Sequence, residues 1–339
     1  MKVLISGYYG AGNVGDEALL SGLITGLRTR GFTPVVLSAD PPATRALHDV
    51  TAFDRVTGLI PALLSTRALI SGGGGLLQDV TSARSLAYYL STMQLALRMG
   101  KRVVVYGQSL GPLSSAGKER VARTLKDVPL AVRDAESVTI ANELGLSCVM
   151  VADPALLLPT PTDLAPADPA GPVVLVPRGD QDVLNSALEA LAVRLAEEDV
   201  PLAAAAFHPV QDAGAVERLA RLAPGLEVRD ASTPVAALRA LAGARYVVSV
   251  RLHGCILAAR LEIGFAGLSY DPKVHGFLAQ AAAPSFQRPV DERALLNLVR
   301  AAPPVAGHAV AHLARLADEG IDWLAGNLRE ARPRRPRRG

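Results

Sequence analysis

The sequence predicts an α/β protein in which two Rossmann-like, open parallel sheets face each other across a cleft and a C-terminal helix closes the chain. Three observations predict it. A short β-branched run, a Gly- or charge-bearing turn and an amphipathic helix recur along the chain, which is the rhythm of parallel βαβ units. A Pro-rich stretch from Pro159-Thr160-Pro161 to Gly171-Pro172 interrupts that rhythm near the middle. The 339 residues, 50% of them apolar, suffice for two cores of ordinary size.

In chain order, the first half offers strands at Lys2–Ser6, Pro34–Ser38, Ala68–Ser71, Arg102–Tyr106, Leu130–Arg133 and Cys148–Ala152. The second offers Val173–Val176, Leu202–Phe207, Tyr246–Val250 and Gly267–Ser269. Apolar residues at Val310, Leu313, Leu316, Ile321 and Leu328 keep helical spacing, so a closing helix is expected. The expected division is a first domain at 1–160, a linker at 161–172, a second domain at 173–307, the helix at 308–331 and a disordered basic tail at 332–339.

Charge is informative once the tail is set aside. The formal net charge is +3, but Arg332, Arg334, Arg335, Arg337 and Arg338 supply five positive charges, leaving −2 for the body. A nucleic-acid partner is therefore not expected, and the tail reads as an arm able to touch anionic lipid at the inner membrane face. Two cysteines, Cys148 and Cys255, are too few for a disulfide framework and favour a reducing compartment. No signal peptide precedes the Val3-Leu4-Ile5 strand, and Arg260 and Glu262 interrupt the longest apolar stretch, so a cytoplasmic protein is expected. Oligomeric state has no sequence signal.

In open α/β sheets ligands bind beyond the carboxyl ends of the strands, where loops meet helix N-termini. The chain's unusual clusters sit at those positions. After the first strand come Gly7-Tyr8-Tyr9-Gly10-Ala11-Gly12-Asn13-Val14-Gly15-Asp16-Glu17, and after the third Gly72-Gly73-Gly74-Gly75-Leu76-Leu77-Gln78-Asp79. The first contains a literal G-x-G-x-x-G, with Asp40 ending the next strand where a ribose-binding acid would sit. A dinucleotide reading fails on two details. Tyr8-Tyr9 lengthen the turn, and Asp16-Glu17 put carboxylates where a pyrophosphate would lie, a repulsion on the order of 4 kcal/mol at 4 Å and ε near 20. A loop of glycines with a carboxylate suits a sugar instead, the glycines allowing close approach and the carboxylate accepting hydroxyl hydrogens. A helix-dipole role for the two acids, or tight packing for the glycine run, are the structural readings set against this.

The second half is cationic at its strand ends, with Arg178, Arg251, His253 and Lys273, and Arg133 is available from the first half. A cation at a helix N-terminus opposes the dipole, so Arg251 before the helix near Gly254 calls for an anion. His253, between Arg251 and that helix start, is a candidate for ligand contact or proton transfer. His48, His208, His275 and His308 have no comparable setting and read as structural. No metal site is expected: the histidines lack helical pairing, and Asp180-Gln181-Asp182 falls where a helix cap belongs.

Taken together these residues resemble the polysaccharide pyruvyl transferases, of the CsaB type that ketalates a cell-wall polysaccharide precursor. The resemblance rests on Gly7–Gly10 with Gly12–Glu17, Gly72–Asp79, Tyr88-Tyr89-Leu90, Val132-Arg133-Asp134, Asp153-Pro154, Arg251-Leu252-His253 and Ser269-Tyr270-Asp271-Pro272-Lys273, in order from residue 7 to 273. Ser109 departs from it, in a loop where the family commonly has glycine. The resemblance implies a fold like the GT-B glycosyltransferases, phosphoenolpyruvate as co-substrate without a further cofactor, and a lipid-linked sugar, N-acetylmannosamine, as acceptor. It also implies that Arg133, Arg251, Leu252, His253 and Lys273 surround the donor, with Arg178 added by charge, and that Asp16 lies on the acceptor side. Tyr9, Asn13, Glu17, Gly74 and Gln78 are expected beside Asp16. In this reading His253 is the acid, Asp16 the base, and Arg251, Arg178 and Lys273 stabilise phosphate. The runner-up is a GT-B glycosyltransferase using a nucleotide sugar, which needs an aromatic slot in a chain only 4% aromatic.

Overall fold

The fold described here is that of a computed structural model, in which residues 1–80 and 82–330 are described. The predicted basic tail, residues 332–339, lies outside them.

Two parallel sheets form the frame. The first contains, among the described residues, β1 (Lys2–Ser6), β2 (Thr33–Ser38), β3 (Thr51–Asp54), β4 (Ala68–Ser71), β5 (Gly74–Leu77), β6 (Arg102–Leu110), β7 (Leu130–Val132) and β8 (Val149–Met150). Their order is β3-β2-β1-β4-β6-β7-β8, with β5 paired to the extended end of β6. The second contains β9 (Val173–Val176), β10 (Leu202–Ala205), β11 (Glu227–Arg229), β12 (Tyr246–Ser249), β13 (Phe265–Leu268) and β14 (Ser285–Phe286), in the order β11-β10-β9-β12-β13-β14. In both sheets the order reverses beside the first strand, opening a crevice at the carboxyl ends.

The helices of the first half are α1 (Val14–Thr29), α2 (Pro41–His48), α3 (Leu59–Ser65), α4 (Ala83–Arg98), α5 (Ser115–Leu125) and α6 (Ala135–Glu143). Those of the second are α7 (Asp182–Ala196), α8 (Pro209–Leu222), α9 (Pro234–Leu241), α10 (Leu252–Arg260), α11 (Pro272–Gln280), α12 (Glu292–Ala301) and the long α13 (Gly307–Arg329). Most start on a side-chain cap of the expected kind: Asn13, Asp40, Ser82, Ser114, Asp134, Thr233 and Asp271 each accept from a backbone N–H in the first turn.

Differences from the sequence reading follow from local chemistry. The strands β3, β5, β11 and β14 were not foreseen, because each is short and three carry charge or glycine. The four-glycine run is divided. Gly72 and Gly73 are packing glycines: a Cβ on Gly72 would overlap the Tyr9 hydroxyl, and one on Gly73 would lie 2.7 Å from Leu19. Gly74 and Gly75 begin β5, with Gly74 at φ +112°. Asp40 caps α2 through Ala43 N–H, so it does not wait for a ribose. The stretch 159–172 carries no helix or strand and is held to the second half by Gly243 N–H donating to Ala165 O and by the Arg239–Asp163 ion pair.

The halves are welded rather than strung together. One apolar cluster runs from Val3, Leu19 and Leu23 through Val174, Ala237 and Ile256 to Leu313 and Leu324. The helix α13 crosses back onto the first half, where Arg30 pairs with Asp318 and Asp322 and Arg102 bonds Asn327. Among the described residues no helix is long and apolar enough to cross a membrane.

The centre of this joint is α1. Its Gly22 lies against the 3₁₀ turn Pro154–Leu157, and an added Cβ would overlap the Pro154 carbonyl oxygen, which is backbone and cannot swing aside. Glycine to alanine inside an exposed helix gains about 1 kcal/mol; here overpacking wins. Gly22→Ala is expected to lower stability by about 1–3 kcal/mol in denaturant unfolding, whereas the substitution at open Gly214 of α8 should be neutral or stabilising.

Candidate active site

The crevice between the sheets holds a cavity of about 530 Å³. Its walls come from loops after β1, β5, β7, β9, β10, β12 and β13, the positions where parallel sheets present ligands. Of the residues expected from sequence, Asn13, Asp16, Gly74, Gln78, Arg133, Arg178, Arg251, Leu252, His253 and Lys273 all line it. Tyr9 and Glu17 do not. The Tyr9 ring is 1% exposed and packs against Gly7 and Gly72. The Glu17 carboxylate turns away to accept from Gly10 N–H at 2.7 Å and bond His48 Nε2 at 2.7 Å, while His48 Nδ1 meets Ser21 Oγ at 3.1 Å. Glu17 is a strut joining α1, α2 and the first loop.

The glycine motif has two uses. Gly10 adopts φ +71° against Ser38 and Asp40, a conformation and a fit that exclude a side chain. Gly15 lets the other half of the molecule approach, since a Cβ there would overlap the His253 ring. Beside it, Val14 N–H donates to Phe207 O at 3.0 Å, joining α1 to the end of β10. The sequence reading gave these glycines to a ligand; in the structure two of them serve the turn and the joint between halves.

Every cation of the site has a carboxylate of its own. Arg251 forms a fork with buried Asp212, Nε to Oδ2 at 2.6 Å and Nη2 to Oδ1 at 2.5 Å, and Asp212 also accepts from Gly179 and His208 N–H. Arg133 donates to Asp153 at 2.5 Å, Arg178 to Asp180 at 2.5 Å, and Lys273 lies 3.0 Å from Asp271. Arg178 also stacks on Tyr270, 4.6 Å from the ring centroid, and donates to its hydroxyl. The anion that Arg251 calls for is thus supplied from α8, and the pair presents its remaining N–H groups to the cavity. Asp212 went unread because an acid in a first helical turn has an ordinary explanation in the dipole; nothing in the spacing links it to Arg251. Ser109, the departure from the family pattern, accepts from Arg133 Nε at 2.9 Å and donates to Asp134 at 2.7 Å, so it orients the guanidinium.

Two groups in the cleft titrate far from their usual range. Burial pushes the Asp16 carboxyl up to about 7; nearby Arg133 opposes this and Glu17 adds to it, while Asn13 Nδ2 donates to Asp16 at 2.6 Å. Burial pulls the His253 imidazole down to about 4 against the attraction of Asp153, with Arg133, Arg251 and Lys273 adding to the effect. His253 Nε2 is buried without a hydrogen bond, its nearest acid Asp153 Oδ2 at 3.7 Å. The cleft therefore holds a neutral imidazole and a carboxyl poised to change charge near neutrality.

A model of the polysaccharide pyruvyl transferase family matches residues 13–272. No curated protein sequence matches the chain. Solved structures are similar over nearly the whole length. The UDP-GlcNAc 2-epimerase of Neisseria meningitidis, bound to UDP-GlcNAc, superposes with a TM-score of 0.59 at 10% identity, over 97% of this chain and 99% of that one. The Methanocaldococcus jannaschii UDP-GlcNAc 2-epimerase gives 0.58 at 11%, over 93% and 99%, and a Rickettsia africae glycosyltransferase 0.57 at 10%, over 95% and 93%. At such identities they show the fold alone, and it is the GT-B-like arrangement expected above.

Removing Asp212 would leave Arg251 buried and unpaired, 6% exposed. Asp212→Ala is expected to cost about 3–5 kcal/mol in chemical denaturation; an unchanged midpoint would show that the fork does not hold the second half together.

Proposed function

This chain belongs to the polysaccharide pyruvyl transferase family, and we propose that it is of the CsaB type. It moves a pyruvate unit from phosphoenolpyruvate to two hydroxyls of a sugar, N-acetylmannosamine in a lipid-linked secondary cell-wall polysaccharide precursor, closing a cyclic ketal and releasing phosphate. The observation that carries this reading is the convergence of Asp16 from one half with Arg133, Arg251, His253 and Lys273 in a single cleft. A three-carbon donor bearing a carboxylate and a phosphate matches the oriented N–H groups of the paired arginines and the Lys273 ammonium. The wall of Asn13, Gly74, Gly75 and Gln78 is left for the sugar.

The roles follow from charge. His253 delivers a proton to the donor's methylene carbon, leaving an oxocarbenium-like C2; the first sugar hydroxyl forms a C–O bond there as Asp16 takes its proton. The second hydroxyl then forms the second C–O bond as the C–O bond to phosphate breaks, and its proton leaves with phosphate. Held neutral by burial and the three neighbouring cations, His253 gains its proton when the donor's negative charge offsets them. Asp153, between Arg133 and His253, is a positioning residue for both.

Phosphate release with phosphoenolpyruvate and an N-acetylmannosamine acceptor, compared with the nucleotide sugars a glycosyltransferase would use, tests the assignment. Turnover only with a nucleotide sugar would overturn it. His253→Gln should lose about 10²–10⁴ in rate, and the imidazole titration, followed by NMR, should move upward when phosphoenolpyruvate binds; a titration that stays put removes His253 as the acid.

The base has its own signature. With Asp16 at about 7 and His253 at about 4, the form with Asp16 charged and His253 protonated is most populated between those values, so kcat/KM should be level from about pH 4 to 7 and fall above neutrality, and Asp16→Asn should move the start of that fall down toward pH 4.

A further inference from the structure

The outer face of the first half carries an unspent surface beside the acceptor wall. Residues 55–126 hold ten Lys and Arg against two acids, Asp79 and Glu119, in a chain whose total is +3. Helices α3, α4 and α5 bury their inner faces in one apolar cluster, so their outer faces turn to the same side. Arg67, Arg84, Arg98, Arg120, Arg123 and Lys126 are exposed there, and among the described residues none of the six makes an ion pair. Many of the arginines elsewhere, including every one at the cleft, are paired.

The same half exposes large apolar side chains. Ile60 and Leu64, one turn apart on α3, are 58% and 68% exposed, Val56 in the turn before α3 is 68% exposed, and Val80, just before α4, is 71% exposed. The Val56 and Val80 ends of this set adjoin the cleft. Tyr88 of α4 donates to Arg55 O, placing the Val56 loop against α4, and both Arg55 and the cleft-lining Tyr8 act on the neighbouring Tyr89. Ser82 and Ser85, two and five residues after Val80, line the cleft themselves.

We propose that this face, Val56, Ile60 and Leu64 set among the unpaired basic residues of α3–α5, docks on an anionic phospholipid bilayer and thereby brings the acceptor wall to a lipid-borne sugar. The charge is complementary to such a surface, and apolar side chains projecting from a basic field are the pattern that inserts at the headgroup boundary. The lipid-linked nature of the acceptor rests on the function proposed above; the docking does not, since it is read by binding alone.

The test is co-sedimentation of the full chain with vesicles of phosphatidylcholine containing about a third phosphatidylglycerol, against pure phosphatidylcholine, with no acceptor present. Binding should need the anionic lipid and weaken with salt. Ile60→Asp with Leu64→Asp, and separately Arg84→Glu with Arg98→Glu, should each reduce the vesicle partition coefficient at least tenfold. Both variants should keep phosphate release on a water-soluble acceptor, which shows them folded and reads the catalytic assignment independently. Serine at the five tail arginines in the full chain should reduce binding by less than the face variants. Failure of the unaltered chain to sediment, equal binding to neutral vesicles, or loss of binding only in the tail variant would each overturn the proposal.

Discussion

The cleft depends on one constraint: a guanidinium held out of water needs a partner before any substrate arrives. Arg251 is 6% exposed and Arg133 8%, and an unpaired charge so placed would cost several kilocalories per mole. Asp212 and Asp153 remove that cost. They also fix the forks in direction, since Asp212 is itself held by Gly179 and His208 N–H and Asp153 by Ala155 N–H. A paired arginine still has N–H groups to offer, and because its geometry is set in advance, little ordering remains to be done when an anion binds. The cleft thus presents oriented N–H donors without being strongly positive.

That balance determines the two titrating groups. With each cation tied to its own acid, little uncompensated positive charge remains to hold Asp16 ionised, and burial decides its state. The same burial, joined by the residual fields of Arg133, Arg251 and Lys273, keeps His253 neutral. A carboxyl that titrates near neutrality and an imidazole that titrates far below it lie in one cavity, and a change in the charge around them would reset both.

How much of this was legible depended on whether the reason for a residue was local. The frame could be read because βαβ rhythm, strand-end placement and helix caps are properties of short stretches, and ten of the twelve expected site residues do line one cavity. Tyr9 and Glu17 misled because they share a loop with true lining residues while their side chains turn inward. Gly15 stood in the motif for the right chemistry but the wrong neighbour: its missing side chain makes room for His253, about 240 positions away. Asp212, at the start of α8, and Ser109, in β6, were invisible for the same reason. Each is defined by an arginine that only the fold brings near, and in sequence each has a bland explanation that is locally complete.

The tertiary reasons converge on α1. Its capped N-terminus supplies Asn13, Gly15 and Asp16 to the cleft, and the neighbouring Val14 N–H ties it to the second sheet. About two turns further on, Gly22 seats the turn that begins at Asp153, and Gly26 seats Ile321 of α13. The carboxylate that holds Arg133, the ring of His253 and the carboxyl of Asp16 are therefore referenced to a single rigid helix rather than to three separate loops. Interiors are close-packed and do not deform continuously, so a displacement of α1 by a few tenths of an ångström would reach all three groups together. The small residues of this helix are where that dependence is concentrated. Gly15, Gly22 and Gly26 have low helix propensity, and at each the contact that needs the missing side chain lies on a different partner.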